Sequence, residues 1–347
     1  MKNIGIIGCG KIAQTRHIPE YADNENAILV GYYDFNMKRA EEIAKTYGGK
    51  AYESVDELLS NPDIDAVSVC TANNAHAEIT LKALRAGKDV LCEKPMAITI
   101  EDCEFMVKTA EKKGKKLMIG QNQRLAKAHI KAKELIEQGA IGTIITFKTT
   151  FGHGGPETWS IDSGKNSWFF DKKRAAMGAM ADLGVHKTDL IQFLTGQKVV
   201  ETTAKVVTLD KKDMNGNLIG VDDNAICIYQ MGNGIIGTMT ASWTYYGAED
   251  NSTILYGTKG IMRIYDNPQY AIEIMTVDGE KIFYDIDKIQ TNENQTKSGI
   301  IDAFVKALEE DKEPFISGQS VLSAMKAVFA SLEASEKGTT VHIADNK

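Results

Sequence analysis

Three clusters in the sequence carry residue types that can do chemistry. In the first, Gly8-Cys9-Gly10-Lys11-Ile12-Ala13 has the glycine spacing that turns a backbone tightly and brings it close to a pyrophosphate. Ala13 is small enough for close packing of a helix on a strand, and a helix start there offers free N–H groups and a positive dipole to phosphates. Asp34 ends the next strand-like run, where a carboxylate can accept hydrogen bonds from ribose hydroxyls and would repel a 2′-phosphate. This points to NAD, while Lys38 and Arg39 keep NADP open as the lesser choice. In the second, Asp89-Val90-Leu91-Cys92-Glu93-Lys94-Pro95 puts an acid and an amine at the carboxyl end of a buried strand, where ligands of open α/β sheets bind. Pro95 cannot continue the ladder and makes a rigid turn that can aim Lys94, although such a lysine taken alone reads as a solvated charge. In the third, Asp182 and His186 stand one helical turn apart, so the carboxylate can orient the imidazole for general-base work, although the spacing also suits a plain helix-surface ion pair. A metal pair is disfavoured because no third ligand has recognisable spacing.

The elements that must position these groups follow from periodicity. Lys2–Gly8, Ala27–Asp34, Ala66–Cys70, Asp89–Cys92 and Lys116–Gly120 read as strands, alternating with helices over Ile12–Ala22, Lys38–Tyr47, His76–Ala86 and Ile100–Lys113. Strands apolar throughout, each followed by an amphipathic helix, predict a doubly wound α/β domain with a parallel sheet, spanning residues 1–122. After a helix over Lys127–Gln138 the rhythm changes. Gly142–Phe151, Val199–Leu209, Asn224–Gln230, Gly234–Trp243, Ser252–Tyr256, Gly260–Tyr265 and Ala271–Thr276 read as strands of a mostly antiparallel sheet. Helices over Ala179–Leu194, about Gln295–Glu310 and Val321–Ser335 make this second domain, residues 123–347, α+β. The stretch from Gly152 to Ala176 lacks periodicity and is expected to be a long functional loop.

Composition narrows the classes. The 347 residues carry a net charge of -7 with 43% hydrophobic and 25% charged residues, which excludes a disordered or collagen-like chain and a basic nucleic-acid footprint. No apolar run is long enough to span a bilayer. The start of the chain has too short an apolar stretch for a secretory leader, so a cytoplasmic location is expected. Five cysteines, odd in number and far apart, are expected to be thiols in a reducing compartment.

Taken together, Gly8-Cys9-Gly10-Lys11-Ile12-Ala13, Thr71-Ala72-Asn73 with His76, Ala86-Gly87-Lys88 leading into Glu93-Lys94-Pro95, and Gly178 with Asp182 and His186 resemble the Gfo/Idh/MocA oxidoreductases, in family order and over essentially the whole chain. The resemblance implies that Lys94, Asp182 and His186 match an inositol-dehydrogenase-like catalytic trio. It implies a cofactor set of Gly8, Cys9, Gly10, Lys11, Ile12, Asp34, Lys38, Thr71, Asn73, His76, Glu93, Lys94 and Asn122. It also implies a Rossmann domain followed by an α+β domain with a large, mostly antiparallel open sheet used for dimer or tetramer contacts, and a sugar, glycoside or cyclitol as substrate. Two departures, Ala72 in place of Pro and Ala176-Met177-Gly178 in place of three glycines, bear on substrate identity. Arg124, Asn166, Trp168 and Tyr245, with Trp159, Trp243 and His153 beside them, are the expected substrate wall, because aromatic faces suit the CH patches of a sugar ring. His17, His129 and His342 are assigned no role. A glycoside-cleaving enzyme that retains NAD and a non-catalytic NAD-binding regulator are the rival classes.

Overall fold

A computed structural model describes residues 1–161, 164–288 and 297–344. They form two compact units, residues 1–122 with 297–322, and residues 123–288 with 323–344. The domain expected over 123–347 is therefore not continuous. Within the first unit the Ser298 hydroxyl and N–H both donate to the buried Glu20 carboxylate, at 2.9 and 2.8 Å, and Ile119 N–H donates to the Ile316 carbonyl at 2.9 Å. The expected helix from Gln295 is present as Ile300–Glu309; Gln295 and Thr296 lie outside the described residues, as do Asp162 and Ser163 of the long loop.

The first unit is a six-stranded sheet of β1 (Lys2–Ile7), β2 (Ala27–Tyr33), β3 (Lys50–Ala51), β4 (Ala66–Val69), β5 (Asp89–Cys92) and β6 (Leu117–Ile119). The order is β3-β2-β1-β4-β5-β6 and every pairing is parallel. Ile4, Ile6 and Ile7 of β1 and all of β4 are buried, the signature of a sheet covered on both faces. A π-turn over Ala13–His17 runs into α1 (Ile18–Ala22), followed by α2 (Met37–Tyr47), α3 (Val55–Ser60), α4 (His76–Arg85) and α5 (Ile100–Lys113). α5 starts at Thr99, whose hydroxyl accepts the Asp102 N–H at 3.2 Å, and ends at Gly114 in the left-handed region. The chain order reverses between β1 and β4, so the carboxyl ends of these strands form the crevice where an open α/β sheet takes its ligand.

The second unit contains α6 (Lys127–Glu137), β7 (Ile144–Gly152), α7 (Lys172–Ala175), a π-turn over Met180–Gly184 leading into α8 (Val185–Thr195), and β8 (Val199–Val207). β9 (Asn224–Met231), β10 (Ile236–Ser242), β11 (Thr253–Gly257), β12 (Gly260–Ile264), β13 (Ile272–Thr276), β14 (Lys281–Tyr284) and β15 (Val341–His342) complete it. The nine strands run β14-β13-β12-β11-β7-β10-β9-β8-β15, antiparallel except for β7 against β10. Along β9, Ala225, Cys227, Tyr229 and Met231 are buried while Ile226 and Ile228 are exposed, the period of a sheet with one covered face. The long loop holds short 3-10 turns at Pro156–Thr158 and Trp168–Phe170 as well as α7. Among the described residues no helix is long and apolar enough to cross a membrane, and all five cysteines are buried and free.

Candidate active site

In the first unit, the glycine turn behaves as its spacing predicts. Gly8 sits at φ +91°, and an added Cβ would lie 2.7 Å from the Cys70 carbonyl, so only glycine fits. At Gly10 a Cβ would meet nothing within 4 Å; the space above this backbone is open, as close approach of a pyrophosphate requires. Lys11 and Ile12 open the helix that continues into the π-turn, and Ala13 is fully buried. Asp34 is 5% exposed; its carboxylate accepts the N–H of Cys9 and that of Asn36, both at 2.8 Å, leaving about two of four lone-pair positions for ribose hydroxyls. Arg39, rather than Lys38, stands at Asp34, 3.6 Å away. Lys38 is exposed and lies 3.9 Å from Glu42.

The loop after β4 brings Thr71, Asn73 and His76 to the same strand ends. The buried Thr71 hydroxyl has no hydrogen-bond partner among the described residues, the sort of orphan a bound dinucleotide would satisfy. Asn73 is 6% exposed, and Asn122 is half-buried at the start of a 3-10 turn after β6. His76, 1% exposed, lies between the Pro95 carbonyl (2.7 Å) and the Thr71 carbonyl (3.1 Å), so its ring ties that loop to the turn carrying Lys94. The Lys94–Pro95 peptide is cis and Lys94 is half-buried. Glu93 turns inward: Oε1 accepts from His17 Nε2 at 2.9 Å and Oε2 from the Lys94 N–H at 3.0 Å. Burial by itself would push the Glu93 carboxyl up, but the His17 hydrogen bond, with Arg16 and Lys94 nearby, outweighs it and holds it down at about 2. His17, assigned nothing from sequence, is thus a buried partner of this motif.

In the second unit, Asp182 sits in the π-turn and His186 in the first turn of α8, both buried. The Asp182 carboxylate accepts from Trp243 Nε1 at 3.0 Å and lies 3.7 Å from His153 Nε2. His153 Nδ1 accepts the Gly155 N–H at 3.0 Å, so the neutral ring carries its proton on Nε2, facing Asp182. Aromatic rings border this carboxylate: His153 packs edge-on against Phe151 and Trp159, Trp159 against Phe169, and Phe169 against Trp243. Trp159 Nε1 is buried and has no partner among the described residues. Trp168 stacks on Phe169 at 3.9 Å, Tyr245 lies on Gly152, where a Cβ would come 2.3 Å from its ring, and Asn166 is exposed. Trp243, expected on the substrate wall, is fully buried and serves Asp182 instead.

Arg124, also expected on that wall, is 8% exposed and grips Asp189 with Nε (2.6 Å) and Nη2, which fastens the turn before α6 to the helix of His186. The start of the helical run that carries Asp182 and His186 is set by Asp222, a residue sequence reasoning missed. Its carboxylate accepts the N–H groups of Gly178 and Met180, both at 2.7 Å, and an added Cβ at Gly178 would lie 1.9 Å from the Asp222 carbonyl. Ala176 there adopts φ 63°, a region that favours glycine. Lys187, next to His186, was also missed. It has no exposed surface, donates to the Asn251 carbonyl at 2.9 Å, and burial pushes its ammonium down to about 7. The run Val221-Asp222-Asp223-Asn224, polar residues crowded against a strand start, was the available signal for Asp222.

Comparison with known proteins accords with this geometry. Residues 2–121 match the model of an oxidoreductase family with an NAD-binding Rossmann fold, and residues 129–263 that of the GFO/IDH/MocA C-terminal domain. Glucose-6-phosphate 3-dehydrogenase of Bacillus subtilis (strain 168) is 34% identical over 70% of this chain and 68% of its own length. Myo-inositol 2-dehydrogenase of Thermotoga maritima is 25% identical over 98% of each chain. The solved structure of levoglucosan dehydrogenase with NADH and levoglucosan superposes with a TM-score of 0.85 at 25% identity, covering 99% of each chain. The chain belongs to the Gfo/Idh/MocA family and is an NAD-dependent oxidoreductase.

Proposed function

We propose that this enzyme oxidises a secondary hydroxyl of a sugar, glycoside or cyclitol, with Lys94, Asp182 and His186 as its catalytic residues. The observation that carries this reading is the Asp182 carboxylate, fixed by Trp243 and faced by His153, within a border of aromatic rings that includes an unsatisfied Trp159 N–H. Such a border suits a ring with apolar CH faces and many hydroxyls. The cofactor would be held by Gly8–Ile12, Asp34, Thr71 and Asn73, and when bound its nicotinamide supplies the hydride acceptor. The His186 imidazole takes the hydroxyl proton as general base, and the Lys94 ammonium donates a hydrogen bond to the oxygen as it becomes a carbonyl. Asp182 holds the charge of the imidazolium or a neighbouring hydroxyl, and Trp243 keeps it in place.

The enzyme acts as a homodimer or homotetramer in this reading. Ile226, Ile228 and Ile236, at 55, 50 and 49% exposure, form an apolar strip on the open face of the sheet, since Ile228 pairs Thr238 and Gln230 pairs Ile236. Light scattering behind a sizing column measures this; a monomer at micromolar concentration overturns it. The substrate test adds NAD and a panel of inositols, monosaccharides, glycosides and sugar phosphates to the purified protein and follows NADH absorbance. Growth of that signal with one compound class is the expected result. Release of free sugar from a glycoside with no net NADH would replace this reading by a cleavage that regenerates its own cofactor.

A further inference from the structure

The mechanism above uses Lys94 but not the two buried side chains behind it. We propose that His17 and Glu93 form a positioning couple that fixes the backbone of Lys94 and links it to the helix of the cofactor turn. The couple rests on the assignment of Lys94 as a catalytic residue, and its geometry lies entirely within the first unit.

His17 is fully buried and Glu93 is 5% exposed, 76 residues apart in sequence, and they meet at 2.9 Å. His17 ends the π-turn that continues the helix opened by the glycine motif; π-turns are commonly found at functional sites, and here the wider winding accompanies an inward-facing imidazole. An Nε2–H donates to Glu93 whether the ring is neutral in that tautomer or protonated. The second carboxylate oxygen takes the Lys94 N–H at 3.0 Å, so the carboxylate is clamped at one end and holds the peptide of Lys94 at the other. The fold leaves room for this arrangement: an added Cβ at Gly120, on the neighbouring strand end, would come within 3.0 Å of all three atoms of the carboxylate group. Gly120 has no positive φ, so the space for Glu93, rather than the backbone, calls for glycine there. A carboxylate buried without its donor is costly and shifts or takes up a proton, and either response releases the Lys94 peptide.

Three variants separate positioning from mere stability. His17→Leu removes the donor, His17→Gln restores an N–H of similar reach, and Gly120→Ala presses on the carboxylate without altering any charge. Two readouts apply to each: NADH-linked turnover, with NADH affinity measured separately by its fluorescence, and the amide signal of Lys94 in cofactor-free protein labelled with 15N-lysine, assigned by its absence in Lys94→Arg. The expected result is kcat lowered about 10- to 100-fold in His17→Leu and Gly120→Ala, as displacement of a catalytic group by roughly an ångström does, with NADH affinity changed less than about threefold. The Lys94 amide signal moves upfield in both, and His17→Gln recovers both readouts. An unmoved amide signal in His17→Leu and Gly120→Ala overturns the couple, as does full kcat in both. If the wild type turns over nothing in the substrate panel while the amide signal moves as described, the couple stands and the proposed reaction falls.

Discussion

Lys187 offers the sharpest energetic test of the second unit. The lysine has no exposed surface and, among the described residues, one hydrogen bond, to the Asn251 carbonyl, with its Nζ 5.9 Å from the centre of the Phe151 ring. Burial drives its ammonium from 10.5 to about 7, the Asp250 and Glu249 charges opposing only part of that effect. At roughly 1.4 kcal/mol per unit this is a burial cost on the order of 5 kcal/mol wherever both folded and unfolded chains hold the proton, below about pH 7. Lys187→Met removes that cost and leaves the Asn251 carbonyl unbonded, a loss of about 1–3 kcal/mol, so the variant should be more stable by about 2 kcal/mol near neutral pH. Between about pH 7 and 10.5 the unfolded chain binds a proton that the folded one lacks, so wild-type stability rises relative to the variant by up to about 1.4 kcal/mol per unit. By about pH 9 the order reverses. Urea unfolding followed by tryptophan fluorescence at both pH values measures this. A difference between wild type and Lys187→Met that is the same at both refutes the argument that an uncompensated charge is buried beside His186.

Further outcomes follow from the site. Gly10→Ala meets open space, so it should keep the thermal midpoint while weakening NADH binding at least about tenfold, whereas Gly8→Ala, strained at φ +91°, should lose stability outright; thermal shift and NADH fluorescence read the two apart. Trp243→Phe removes the N–H held on Asp182, and kcat should fall about 10- to 100-fold for a hydrogen bond to a charged group worth about 1.5–3 kcal/mol, an effect absent if Asp182 plays no part in turnover. Asp222→Ala uncaps Gly178 and Met180 and should cost about 2–4 kcal/mol in urea unfolding, with a loss under about 0.5 kcal/mol counting against the cap.

Much of this was legible in the sequence because it is local. The alternation of apolar strands and amphipathic helices, the turn at Gly8 and Gly10, and the placement of Lys94 at a strand end depend on neighbours within one element. What escaped is carried by distant pairs. Glu93 meets His17, Asp189 meets Arg124, and Asp222 reaches back to Gly178, across 76, 65 and 44 positions, and no periodicity records such partners. Arg124 and Trp243 were read as a substrate wall since their chemistry suits it; their burial against Asp189 and Asp182 is decided by tertiary packing. A lysine in a helix reads as solvated, so Lys187 gave no signal. β3 and α3 are too short for a period, and the return of residues 297–322 to the first unit shows no change in composition.

The proposed role of Lys94 and His186 is alcohol oxidation with NAD. Its most direct test is NADH formation by wild type, Lys94→Ala and His186→Ala on the first compound the panel identifies, at equal occupancy by cofactor. Each variant should lose at least about 100-fold in kcat, with cofactor binding retained. Full turnover by Lys94→Ala on that compound would contradict it.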